Sequence, residues 1–163
     1  MIDAKTFEAH PVTTERWDDL VALFDRPVVR TCFCMFYRKT GSGTGVGADN
    51  RRAMKALVKR GTVPGLIGYE DGVPVAWVSL GPREDYAKLS RSPIMKPVDD
   101  RPVWSIVCFF VDREARGRGV SERMLRAAVD YCSAREAAKA ADILPLAASF
   151  EAWLTRPLEA AEA

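Results

Sequence analysis

The segment Val111-Asp-Arg-Glu-Ala-Arg116-Gly117-Arg118-Gly119-Val120-Ser121 places Gly117 and Gly119, with Arg116 and Arg118, between an apolar run and an amphipathic stretch. If the run is a buried strand and the stretch a helix, the turn between them can bind an anion. The first turn of a helix has unpaired backbone N–H groups and a partial positive charge. Glycine lets a phosphate approach the main chain, and Arg116 and Arg118 can add charge. A pyrophosphate fits such a turn. The residues alone are equally those of a solvent-exposed Arg-Gly turn, and both readings stay open at this point.

Other candidate motifs carry less. Gly41 to Gly47, GSGTGVG, has no GK[ST] ending and contains no complete G-x-G-x-x-G, so it reads as a flexible tether. Cys32, Cys34, Cys108 and Cys132 form neither a dense disulfide framework nor paired CxxC zinc knuckles, and are read as reduced thiols. Cys32 and Cys34 are read as two buried thiols on one face of a strand rather than as metal ligands.

The elements that must position the glycine turn follow from periodicity. Val103 to Val111, VWSIVCFFV, has the length and near-continuous apolar character of a central strand covered on both faces. A helix over about Gly119 to Arg135 turns Met124, Leu125, Ala128, Val129 and Cys132 inward and Arg123, Arg126 and Asp130 away. Upstream, Leu66 to Glu70 and Val75 to Leu80 flank Asp71-Gly72, a hairpin signal because both residues tolerate the positive φ of a type I′ turn. Lys5 to Ala9 reads as an opening strand. Thr13 or Thr14 can cap a helix carrying Trp17, Leu20, Val21 and Phe24 that stops near Pro27. Asp49 and Asn50 can cap another carrying Met54, Leu57 and Val58, with Gly61 as its stop. Val28 to Tyr37 is a strand or a packed loop, and Pro82 to Arg91 a loop or short helix. Past Arg135 the chain is alanine-rich, with Ala140 to Leu146 as one further strand and Phe150 to Leu154 as a last helical turn or two.

Composition sets the outer bounds. The chain has 163 residues, 48% of them hydrophobic, which suits one globular domain spanning residues 1–163 and excludes a mainly disordered one. A net charge of +2, from 24 Lys and Arg against 22 Asp and Glu, is far below the basic excess expected of a nucleic-acid binder. No apolar run approaches the roughly 18 residues of a membrane span, and the first ten residues hold no secretory apolar region, so the expected location is the cytoplasm.

With these residues in place, the sequence resembles the GNAT acetyltransferase superfamily. The acyl-CoA signature of that family, Q/R-x-x-G-x-G/A between its fourth strand and third helix, is matched by Arg116-Gly-Arg-Gly119-Val-Ser121, with Ser121 departing in the last position. The order helix, helix, hairpin, strand, loop, helix extends the resemblance over roughly residues 5 to 146. It implies an α/β (α+β) fold, with a mixed, mostly antiparallel sheet flanked by helices and a cleft beside the fourth strand. Backbone groups of Phe109, Phe110 and Val111 would hold the pantetheine arm of acetyl-CoA. Main-chain amides of Arg116, Gly117, Arg118, Gly119, Val120 and Ser121 would hold its pyrophosphate. A small-molecule amine would attack the thioester directly in a ternary complex, with no metal required.

The catalytic side chains are less distinct. Glu84, Asp85 and Asp112 are the carboxylates near the expected cleft, each equally a solvated loop charge. Cys108, on the face of Trp104, Ile106 and Phe110, can be a nucleophile, a sulfur acid or a packed thiol. His10 reads as a surface or strand-end residue. Tyr86, outside the apolar runs, is the acid by default. Trp77, Tyr86 and Trp104 can line an acceptor pocket, although Trp77 and Trp104 equally suit the core. Ala147 to Ala163 hold no Tyr and no alternating strand pattern, so the last two strands of the family are expected to be missing and a homodimer partner to cover the resulting edge. Two functions are compatible: an acyl-CoA-dependent N-acetyltransferase, or a non-catalytic acyl-CoA-binding or interaction module derived from the same fold.

Overall fold

The computed structural model describes residues 5–25, 31–40 and 47–135. In chain order its elements are β1 (Phe7–Pro11), α1 (Trp17–Phe24), α2 (Gly47–Lys59), β2 (Gly65–Glu70), β3 (Val73–Pro82), α3 (Ala87–Arg91), β4 (Trp104–Val111) and α4 (Val120–Arg135). Single 3₁₀ turns at Thr14–Arg16, Arg83–Asp85 and Arg113–Ala115 lead into α1, α3 and α4. The strands form one antiparallel sheet in the order β1-β2-β3-β4.

The hairpin between β2 and β3 turns at Asp71 and Gly72, with φ of 49° and 77°, as a type I′ turn requires. The Asp71 carboxylate accepts from Thr6 N at 3.0 Å and the Asp71 amide donates to Thr6 O, which ties the turn to the entry of β1. Each face of the sheet has its own core. On one, α1 and α2 bury Trp17, Leu20, Leu23, Phe24, Met54 and Val58 against Ile67, Trp77 and Phe110. On the other, α4 buries Val120, Met124, Ala128, Val129 and Cys132 against Leu66, Ala76, Val78, Leu80 and Val111. The inward stripe expected of α4 is therefore the one observed, and α2 likewise turns Met54 and Val58 inward.

Several expectations are corrected. Residues 31–38 form turns, so Cys32 and Cys34 lie on a loop packed against the sheet and share no strand face. Phe33 and Cys34 there adopt φ of 42° and 51°, a conformation no strand contains. Thr13 makes no side-chain cap, and α1 is instead entered through a 3₁₀ turn and followed by Asp25. Helix α2 begins at Gly47, so Asp49 and Asn50 fall inside its first turn. Among the described residues β4 is an edge strand and mostly half-buried, whereas β2 is buried along its whole length. Its apolar run is continuous because the strand changes faces midway. Ser79 pairs with Cys108 and Leu80 with Ile106, leaving Val107 as an extra residue. That bulge puts Trp104 with Phe109 and Val111 toward α4, and Cys108 with Phe110 toward α1. Cys108 therefore does not share the face of Trp104.

Pro27, most of the glycine tether, the expected strand at Ala140 to Leu146, the helical turns at Phe150 to Leu154 and the expected loss of two strands lie outside the described residues. Among the described residues no helix is long and apolar enough to cross a membrane.

Candidate functional site

Strand β4 hands the chain to α4 through the glycine turn, and local hydrogen bonds fix its shape. Asp112 is 6% exposed, its amide donates to Val75 O at 2.8 Å, and its carboxylate accepts from Glu114 N at 3.1 Å. It caps the 3₁₀ turn Arg113–Ala115 and has no base-like position in an open cleft. Gly117 and Gly119 then take φ of 75° and 71°, and a Cβ at either would meet nothing within 4 Å. Their need is conformational: a left-handed backbone, with open space above it. Among the described residues no backbone carbonyl accepts from the amides of Gly117, Arg118, Gly119 or Val120. These donors gather into a cradle at the head of a 16-residue helix, an arrangement whose N–H groups and partial positive charge suit an anion.

The two arginines of the motif are engaged by the protein. Arg116 Nε donates to Val111 O at 3.1 Å. Arg118 donates to Glu114 O and, at 2.5 Å, to Glu70 Oε2. Arg123, expected to point away from the fold, donates to Glu70 Oε1 at 3.1 Å and to Arg118 O at 2.9 Å, and lies over the Phe7 ring. Glu70 closes β2 with its side chain only 1% exposed. Burial would raise its pKa, but the Arg118 and Arg123 guanidiniums outweigh burial and hold the carboxyl below its ordinary value. This brace was not legible in the sequence, where Glu70 is only the last residue of the expected strand Leu66 to Glu70.

On the α1 face a second group of side chains meets beside the bulge. Tyr86 is 0% exposed; its hydroxyl accepts from Arg38 at 3.1 Å, and the Arg38 guanidinium stacks on its ring at 4.4 Å. Arg38 also donates to Asp85 at 3.3 Å. Burial pushes the Tyr86 phenol up to about 12, with Arg38 and the Ser79 hydroxyl pulling the other way. Ser79 is the register partner of Cys108, whose sulfur is hydrogen-bonded to Cys34, and Trp77 Nε1 donates to Cys34 Sγ at 3.2 Å. The hydrogen bond from Cys34 lowers the pKa of Cys108, against its burial. Tyr86 and Cys108 are thus brought to one side of β3 and β4, while Glu84 stays exposed on the 3₁₀ turn Arg83–Asp85.

The aromatic trio does not assemble. Trp77 is fully buried, edge-on to Phe24 at 5.3 Å, and Trp104 packs against Tyr131 at 6.2 Å on the opposite face. His10 sits on β1 beside Glu8 at 3.1 Å, as a strand-end surface residue does. A groove of about 570 Å³ runs between β1 and α4, lined by Phe7, Arg123 and Tyr131 among others, and none of the residues expected at the site lines it.

The Acetyltransferase (GNAT) family sequence model matches residues 32–148, well over half of the chain and including both the bulged strand and the glycine cradle. The chain belongs to the GNAT acetyltransferase family. No curated protein matches its sequence. Solved GNAT structures resemble its fold at low identity. The aminoglycoside N-acetyltransferase AAC(6')-Iy, in complex with CoA, matches with a TM-score of 0.54 at 14% identity, over 83% of this chain and 75% of its own. A GNAT-family acetyltransferase from Streptococcus agalactiae gives 0.51 at 16%, over 76% and 69%. The aminoglycoside 6'-N-acetyltransferase AAC(6')-IG from Acinetobacter haemolyticus gives 0.50 at 17%, over 76% and 70%. At such identities the likeness is one of fold.

Proposed function

We propose that this GNAT protein is a cytoplasmic acyl-CoA-dependent N-acetyltransferase that moves an acetyl group from acetyl-CoA to a small-molecule amine by direct attack. The observation that carries the reading is the cradle at Gly117 to Val120, whose main-chain donors fit a pyrophosphate. Acetyl-CoA supplies the activated thioester when bound. Amides of Gly117 to Ser121 hold its diphosphate, the Arg116 amide being taken by Arg113 O at 3.4 Å, and backbone groups of Phe109, Phe110 and Val111, on a strand edge open among the described residues, orient its pantetheine arm. Because Arg118 is already braced by Glu70, the phosphates are held chiefly by N–H groups and the helix terminus, with less guanidinium charge than the motif alone implies.

Tyr86 is the proposed acid. Its burial keeps the phenol protonated at neutral pH, and because its oxygen accepts from Arg38 its O–H remains to donate. Cys108 is the alternative sulfur acid beside it, and Glu84 the candidate base at the rim. A second reading, an acyl-CoA-binding module without turnover, draws support from the enclosure of Tyr86 by Arg38. The test is calorimetric titration with acetyl-CoA followed by acetyl-CoA consumption with a mixture of amines. Binding with turnover supports the enzyme, binding without turnover the module, and no binding refutes both. A homodimer covering the side of the sheet that the last two strands of the family would close is the proposed assembly.

A further inference from the structure

Three thiols converge on the loop that delivers Arg38 to Tyr86. Cys32 and Met35 close a β-turn, with Met35 N donating to Cys32 O at 3.0 Å. Its two central residues, Phe33 and Cys34, are both left-handed without being glycine, a conformation that costs free energy and persists only where the surroundings enforce it. Here the enforcement is visible. Asn50 Nδ2 donates to Thr31 O at 2.8 Å, Phe33 is buried edge-on to Phe24 at 5.1 Å, and Trp77 donates to Cys34 Sγ. The turn folds the Cys32 side chain back over the residue that carries the second thiol, so that Cys32 Sγ lies 3.4 Å from Cys34 N.

Within this turn the sulfurs are not equivalent. The Cys34 amide donates to Cys32 Sγ at 3.4 Å, and the Cys34 thiol is hydrogen-bonded to Cys32 as well. Donors aimed at one sulfur stabilise its thiolate. The hydrogen bond from the Cys34 side chain is the largest influence on Cys32 and brings it down to about 6 against its burial. Cys32 is half-buried and reachable, whereas Cys34 is 5% exposed and its thiol is pushed up by its hydrogen bonds to Cys108 and Cys32. All four cysteines are unbridged.

We propose that Cys32 and Cys34 are an oxidant-reactive thiol pair, a modification site at which hydrogen peroxide oxidises Cys32 and Cys34 then closes a disulfide onto it. In the first step the Cys32 thiolate attacks one peroxide oxygen, the O–O bond breaks, and water leaves after protonation, giving Cys32 sulfenic acid. In the second, the Cys34 sulfur attacks the Cys32 sulfur, the S–O bond breaks, and the Cys34 proton leaves with the hydroxyl as a second water. Two electrons pass from the two thiols to one peroxide. Closure removes the Cys34 S–H from Cys108 and alters the loop that carries Arg38, so the oxidation state of the pair is felt at Tyr86. That last consequence rests on the function proposed above; the site itself does not.

The full-length protein is treated with hydrogen peroxide, blocked with iodoacetamide and digested with trypsin. Cys32 and Cys34 fall within one tryptic peptide and Cys108 in another. The expected product is an unalkylated Cys32–Cys34 peptide lighter by two hydrogens, with Cys108 and Cys132 still alkylated. Without oxidant, Cys32 should alkylate at least about tenfold faster than Cys132. In Cys34→Ser, peroxide should leave Cys32 as a sulfenic acid trapped by dimedone, and in Cys108→Ser the disulfide should still form. A disulfide joining Cys34 to Cys108, or a wild-type protein in which peroxide leaves every thiol alkylatable, would overturn the proposal. These readouts need no acetyl transfer, so they fail or succeed independently of the enzymatic reading.

Discussion

Removing the Glu70 side chain tests whether the brace behind the glycine turn holds the fold as its geometry says. Glu70→Ala deletes a carboxylate that is 1% exposed and that receives one bond from Arg118 and one from Arg123. Breaking a fully buried ion pair costs about 3 to 5 kcal/mol, and an exposed pair about 0 to 1. The two guanidiniums are 41% and 34% exposed, so each can return to water once the carboxylate is gone. The expected loss therefore falls between these limits, at about 2 kcal/mol, or a melting temperature lower by about 4 to 8 °C. Urea unfolding of wild type and variant, at equal m-values, reads it directly. The pH dependence has a definite sign. Glu70 is lowered in the folded state from an ordinary value of 4.5, so its contribution is whole above that value and is lost as pH falls through the folded one. The difference between wild type and variant should be flat above pH 4.5 and shrink below it. A loss under about 0.5 kcal/mol near neutral pH would refute the reasoning, because the pair would then be behaving as a surface contact.

Three further outcomes are expected. Gly119→Val, which forces a β-branched residue to φ 71° in the cradle, should abolish CoA binding by calorimetry while costing about 1 to 3 kcal/mol of stability by unfolding; undiminished affinity would count against the cradle. Tyr86→Phe should lower kcat by roughly 10² to 10⁴ with acetyl-CoA affinity unchanged, and the wild-type rate should show no alkaline fall from this phenol until pH nears about 12. Sedimentation should show self-association, and a monomer at high micromolar concentration would remove the proposed dimer.

What the sequence disclosed was what local chemistry determines. Asp71-Gly72 announced the hairpin because few residue pairs accept two positive φ values, and the stripe from Met124 to Cys132 announced the inward face of α4 because helical spacing is a local property. The two glycines announced the left-handed turn before α4 for the same reason. What stayed hidden depends on contacts made across long stretches of chain. Arg38 meets Tyr86 48 residues away and Arg118 meets Glu70 at the same separation. Nothing in either residue's neighbourhood separates these arginines from solvated ones. Strict alternation along VWSIVCFFV also assigned Cys108 to the wrong face, since a bulge leaves no composition signal in an all-apolar strand.

The extra residue at Val107 also makes the length of β4 a carrier of information. Trp104 to Ile106 and Cys108 to Val111 behave as two cassettes joined by a one-residue spacer, each with its own rule for inside and outside. Excising that spacer would heal the ladder to β3 and leave both cassettes facing as they do now, Trp104, Phe109 and Val111 toward α4 and Cys108 and Phe110 toward α1, because strict alternation then runs unbroken through the join. Substitutions within a cassette keep the wiring of the two cores. A residue inserted elsewhere in the strand would instead turn one cassette over against the other, so insertions along this strand should be far less tolerated than replacements or the loss of Val107.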